Sequence, residues 1–118
     1  MKVEKINKNK IFINDTRVQF DEASEIKNII EIDVFLYIMV IFPNGHPEQN
    51  SNVWKLDDNG NVVWKIKIFG TDVLGARPFV KMEYAGNKLK VDNWQGVDFY
   101  VNLTNGDLEP IKGGRPWQ

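Results

Sequence analysis

Residues 53–67 read Val53-Trp54-Lys55-Leu56-Asp57-Asp58-Asn59-Gly60-Asn61-Val62-Val63-Trp64-Lys65-Ile66-Lys67. Side chains two positions apart share one face of a β-strand. Trp54 and Leu56 therefore point one way, and Val53, Lys55 and Asp57 the other. On the return strand Val62, Trp64 and Ile66 share a face, opposite Val63, Lys65 and Lys67. A helical period fits less well, and aromatic and β-branched residues favour a sheet. Asp58-Asn59-Gly60 tolerates the positive φ that a hairpin loop with a glycine bulge needs. Trp54 and Trp64 are expected close together across this hairpin, packed inside.

A second copy of the plan stands at Phe99-Tyr100-Val101-Asn102-Leu103-Thr104-Asn105-Gly106-Asp107-Leu108. Gly106 follows Gly60 by 46 positions and Asn102 follows Asp57 by 45, so the second turn is one residue longer. A period of that size suits four strands per unit, as in propeller blades. Leu56-Asp57-x-x-Gly60-x-x-x-Trp64 resembles the blade repeat of quinoprotein-like β-propellers, in which an Asp, a turn Gly and a later Trp close each blade. In the second copy Pro110 or Ile111 stands at the Trp position, a departure from that repeat. The resemblance implies blade-like packing and carries no cofactor site. The chain has room for about two blades against the four to eight of a closed propeller, so one chain cannot close one. The layout is also similar to small uncharacterised bacterial proteins, some of which serve as immunity proteins.

At 118 residues the chain reads as a single all-β domain. Two four-stranded antiparallel meander units, 25–67 and 79–111, pack together behind an N-terminal hairpin in 1–24. There is no cysteine, which excludes disulfides, thiolate metal sites and a cysteine nucleophile. That composition suits a reducing cytoplasm, the expected location. A net charge of −1 supplies no basic field for nucleic acid. No apolar segment follows the basic N-terminus, so it is not a secretory signal. The longest apolar run, Val34 to Phe42, is too short for a membrane helix and reads as a strand buried on both faces.

Lys10–Ile13 and Arg17–Phe20 form the first hairpin around Asn14-Asp15-Thr16, with residues 1–9 frayed or an edge strand. Asp21 to Glu25 holds at most one helical turn, with Ser24 as a cap. Strands are expected at 26–32, 34–42, 52–57 and 61–67, then at 79–84, 88–92, 97–102 and 107–111. The prolines and glycine of 43–50 make a loop, and 68–78 is a longer connection between the units.

His46 is the lone histidine, in a loop beside Glu48, and reads as a solvated residue more readily than as half of an acid–base pair. Asp57-x-Asn59-x-Asn61 has the alternating oxygens that open a calcium loop, but Ile68 replaces the closing Glu and Gly60 comes early. A turn explains those residues, and no metal or cofactor is expected. Gly113-Gly114-Arg115 opens no helix and reads as a loose terminus rather than an anion site. Lys65, Lys67, Lys81, Lys88 and Lys90 are interspersed with Glu83, Asp92 and Asp72, as on a solvated sheet face. Trp94 sits in a turn, where it serves either as a core lid or, with Tyr84, Arg77 and Tyr100, as an aromatic–arginine contact patch.

These features point to a non-catalytic protein–protein interaction module, with a toxin as one class of partner and without nucleic acid or membrane. The contact residues would be Trp94, Tyr84, Arg77, His46 and Glu48, on the loops 43–50 and 68–78 and the turn at 94. Three alternatives remain. One is a small-molecule or carbohydrate binder stacking on Trp94 and Tyr84. Another is a carboxylate enzyme using Glu83 and Asp92. The last is a homo-oligomer paired through open sheet edges.

Overall fold

Alternation in the hairpin becomes two buried faces in three dimensions. A computed structural model describes residues 1–67 and 78–111 and holds eleven strands and no helix among them. Every expected strand is present within one or two residues at each end; the expected connection at 68–78, Pro78 apart, and the tail 112–118 lie outside the described residues. β1 (Val3–Asn7), β2 (Lys10–Ile13) and β3 (Thr16–Gln19) form a three-stranded sheet. β4 (Glu25–Ile32), β5 (Phe35–Ile41), β6 (Val53–Leu56) and β7 (Val62–Lys65) form the second sheet in that spatial order. β8 (Phe79–Ala85), β9 (Lys88–Asn93), β10 (Asp98–Val101) and β11 (Leu108–Pro110) form the third. All neighbours are antiparallel, so each sheet is a meander.

The second sheet is the middle layer. Leu36, Ile38 and Val40 of β5 pack with Trp54, Leu56, Ile26 and Phe42 against Ile11 and Ile13 of the first sheet. Tyr37 and Met39, on the opposite face of the same strand, pack with Val53, Trp64 and Ile66 against Phe79, Met82, Leu89, Val91 and Phe99 of the third. The apolar run from Val34 is therefore continuous because β5 serves two cores. Each fully buried aliphatic side chain of this kind contributes about 1.5–3 kcal/mol.

One expectation needs correction. Trp54 and Trp64 do not meet across the hairpin. Trp54 is opposite Lys65 and Trp64 is opposite Lys55, so the two indoles lie on opposite faces, one in each core. Alternation read within each strand was right; the cross-strand register, shifted by a bulge between Lys55 and Leu56, decides which rings meet. Of the two readings of residues 1–9, the edge strand is the one observed. Val3 pairs with Ile13 and adds β1 as a third strand, whose other residues, Ile6 included, are exposed.

The repeated turn has a physical job. Asp57 Oδ1 accepts the N–H groups of Asn59 and Asn61, both at 2.9 Å, and these bonds hold its carboxyl below the usual carboxylate range. The carboxylate that opens the calcium-like pattern thus caps the backbone of its own turn. Asn102 Oδ1 does the same for Thr104 and Asn105. Each turn then docks on the sheet before it. Gly60, at φ 83°, lies against the Thr16 and Val18 methyls, while the Asp58 carbonyl accepts from Asn14 Nδ2 at 3.0 Å. Gly106, at φ 80°, lies against the Trp64 ring, while the Leu103 carbonyl accepts from Trp64 Nε1 at 3.0 Å and Lys55 Nζ at 2.6 Å. A side chain larger than hydrogen would keep either turn from reaching its seat.

Candidate functional site

Strand direction brings the connection 42–52 and the turn 93–97 to one end of the stack. Asn52 is buried and acts as a peptide mimic: its Oδ1 accepts the Phe79 N–H at 3.0 Å and its Nδ2 donates to the Phe79 carbonyl at 2.8 Å. Phe79 is the register partner of Asn93, and the Pro78 carbonyl accepts the Trp94 N–H at 2.8 Å. The loop that carries His46 and the turn that carries Trp94 are therefore both tied to residues 78–79.

The turn itself is a third version of the Asp57 device, which sequence spacing alone left unrecognised. Asn93 Oδ1 accepts the N–H groups of Gln95 and Val97, both at 3.0 Å. The Asn93 N–H donates to the Val97 carbonyl and the Gly96 N–H to the Asn93 carbonyl, both at 2.9 Å. The signal was present as Asn93-x-x-Gly96 beside Asp57-x-x-Gly60. In the Asp57 turn the second position is the exposed Asp58; in the Asn93 turn it is Trp94, which is 66% exposed. The turn makes no use of an indole there, so Trp94 is not a core lid. A rigid backbone holds a large apolar ring in solvent.

His46 is not a freely solvated loop residue. Its ring stacks on Phe42 with centroids 4.4 Å apart. Its Nδ1 accepts the Glu48 N–H at 3.0 Å, and its Nε2 lies 3.1 Å from Asp21 Oδ2. With Nδ1 as acceptor, the neutral tautomer carries its proton on Nε2 and donates it to Asp21. Both nitrogens are then occupied, and the pair pins the 43–50 loop to the 20–24 connection. The Ala23 N–H, and after it His46, hold the Asp21 carboxyl below its ordinary range. Residues 21–24 form a hydrogen-bonded turn, with Ser24 Oγ donating to the Asp21 carbonyl, rather than a turn of helix. The Glu48 carboxylate turns away from His46 and pairs with Lys65 at 2.7 Å.

Tyr84 lies elsewhere. It is paired with Leu89, five residues along β8 from the Phe79–Asn93 pair, which is roughly 15 Å of strand. Tyr84 and Trp94 therefore do not form one platform. Arg77, with the rest of 68–77 and the Gly113-Gly114-Arg115 tail, lies outside the described residues.

The outer face of the third sheet carries the charged residues. Glu83 pairs with Lys90 at 3.0 Å, and that hydrogen bond and charge hold its carboxyl low. Asp92 faces Asp98 rather than Glu83. Burial first, and the Asp98 charge second, push its carboxyl up, and its Oδ1 is buried without a hydrogen-bond partner. Glu83 and Asp92 thus sit in separate rows, one neutralised by Lys90 and the other beside a second acid. Among the described residues no three His, Asp or Glu side chains converge to hold a metal, and no helix is long and apolar enough to cross a membrane.

Fold and surface together define an all-β domain of three stacked antiparallel meanders with an exposed aromatic turn. The chain belongs to the family described as Domain of unknown function (DUF7957), whose profile matches residues 1–112. No curated protein and no solved structure matches it.

Proposed function

We propose that this chain is a non-catalytic protein-binding module whose contact surface is the loop end of the stack, anchored by Trp94. The observation that carries this reading is the 66% exposed indole on a turn closed by Asn93 and Pro78. Trp94 is the most exposed of the large apolar side chains among the described residues. Tryptophan is prominent among binding hot spots. A ring whose backbone is already fixed loses little conformational freedom when a partner covers it. Asp21, His46 and Phe42 hold the neighbouring loop in one arrangement and extend the preorganised surface.

The test is affinity capture from the native cell with wild type and Trp94→Ala side by side, including any toxin encoded beside the gene. Trp94→Ala should melt with wild type and lose a partner that wild type retains and that binds again as a purified protein. Equal capture by both forms would overturn the proposal. A sugar whose binding requires Trp94, with no protein partner, would overturn it in favour of a carbohydrate-binding domain.

A further inference from the structure

We propose that a pocket of about 410 Å³ on the third sheet, lined by Lys88, Tyr100, Asn102 and Glu109, is an unfilled turn socket that takes a glycine-containing β-turn from a partner protein. The inference rests on the protein-binding reading but uses a different surface from Trp94.

Two filled sockets within the chain define what such a site does. In each, a turn of one sheet seats its glycine on the last strand of the preceding sheet, and the carbonyl of the turn's second residue accepts a hydrogen bond from a side chain there. The first socket uses Thr16, Val18 and Asn14 Nδ2. The second uses Trp64 with Lys55 Nζ. Aligning Asp57 with Asn102 places Lys55 over Tyr100. The partner of Lys55 is Trp64 and the partner of Tyr100 is Glu109. Tyr100 and Glu109 are among the residues that line the third pocket.

The donors are in place. Asn102 occupies the position in its turn that corresponds to Asn14. Its Oδ1 is used by Thr104 and Asn105, while its Nδ2 has no hydrogen-bond acceptor among the described residues. Lys88 Nζ lies 5.0 Å from the Tyr100 ring centroid and forms no ion pair among the described residues. Asn102 thus stands where Asn14 stands at the first socket, and Lys88, from the neighbouring strand, brings its ammonium to Tyr100, the counterpart of Lys55 at the second. A second copy of this chain does not supply the occupant, because its 57–60 and 102–106 turns are seated in their own sockets, its β2–β3 turn, Asn14-Asp15, has no glycine, its Asn93–Gly96 turn is tied to Pro78 through the Trp94 N–H, and its Gly86-Asn87 turn borders the pocket itself.

The probe is a cyclised hairpin peptide with the sequence of residues 100–109, titrated into the ¹⁵N-labelled full chain. Amide shifts should move at Asn87, Lys88, Tyr100, Asn102 and Glu109. Asn102→Asp keeps the oxygen that closes the turn, as Asp57 shows, but removes the donor; it should melt near wild type and bind about tenfold more weakly. The Gly106→Ala peptide should also bind about tenfold more weakly, because a side chain at positive φ is strained. Shifts confined to other surfaces, no shifts, or binding insensitive to Asn102→Asp would each overturn the proposal. Self-association of the wild-type chain that Asn102→Asp abolishes would overturn it too, by making a second copy the occupant. Failure here leaves the Trp94 capture experiment unaffected, and failure of that experiment leaves this titration unaffected.

Discussion

Replacing Gly106 with alanine should cost far more than the same change at Gly86, although both residues have positive φ. An alanine Cβ at 106 would lie 2.9 Å from Cδ2 and Cε3 of the Trp64 ring; at 86 it would meet nothing within 4 Å. Trp64 cannot swing aside cheaply, since it is buried and its Nε1 is bonded to the Leu103 carbonyl of the same turn. Left-handed strain costs about 1–2 kcal/mol at either site. A stiffer unfolded chain returns about 0.4–1 kcal/mol. Steric overlap in a packed site adds about 1–3 kcal/mol at 106 alone. Gly86→Ala should therefore lose about 1 kcal/mol and Gly106→Ala about 3 kcal/mol, the latter lowering Tm by roughly 10 °C. Gly60→Ala belongs between them, because the 3.1 Å contacts there are to methyl groups of Thr16 and Val18. Urea unfolding with a constant m-value measures all three. Equal losses at 86 and 106 would refute turn docking as the reason for the repeated glycine.

Asn52→Leu removes both bonds to Phe79 and leaves a buried N–H and C=O unpaired, so it should destabilise by about 2–4 kcal/mol; a loss below 1 kcal/mol, by the same unfolding assay, would show that water reaches them. Asp92 has a raised carboxyl pKa from burial and from Asp98. Between its unfolded and its higher folded pKa the folded state retains a proton that the unfolded state has released, so this contribution is full in acid and is lost as pH rises through the folded pKa. Asp92→Asn should then raise Tm at neutral pH and lose that advantage as pH falls below the ordinary aspartate range. A pH-independent difference would assign the gain to something else. Lys55 shows the converse sign. Burial lowers its pKa, so wild-type stability should climb as alkaline pH neutralises it, and Lys55→Met should flatten that climb in thermal melts.

The fold class was legible because period-2 alternation and turn chemistry are local. Residues 53–67 and 99–108 announce strands, turn and repeat with no tertiary information. The third layer was harder to read. It depends on β1, where Val3 is the sole inward apolar residue flanked by Lys2, Glu4 and Lys5, and a strand with one buried side chain has no periodic signal. The Trp54–Trp64 error has a different origin. Faces within a strand follow from counting, but register across a hairpin follows from the bulge, and a one-residue slip exchanges every ring's face. For the site, Trp94 in a turn was visible and its exposure could be argued only once Asn93 was seen to repeat Asp57. The partner of His46 was not visible at all, because Asp21 lies 25 positions away and the two meet only through packing of the first sheet on the second.

The docked turns also separate the sheets that can seat on a neighbour from the one that cannot. Each glycine turn covers the sheet before it, so a sheet without such a turn can receive a neighbour yet cannot seat itself on one. The first sheet is of this kind: Asn14 and Asp15 make its turn with φ of 46° and 73°, and side chains at both positions prevent the close approach that Gly60 and Gly106 make. Growth by adding copies at that side is therefore blocked by two residues, and Asn14 is kept as a donor to the Asp58 carbonyl instead. On the other side the third sheet turns a charged row, Glu83–Lys90–Tyr100–Glu109, outward where the second sheet turns Ile30–Tyr37–Lys55–Trp64 inward. The same backbone layout is thus apolar where the chain fills its own socket and polar on the outer face of the third sheet.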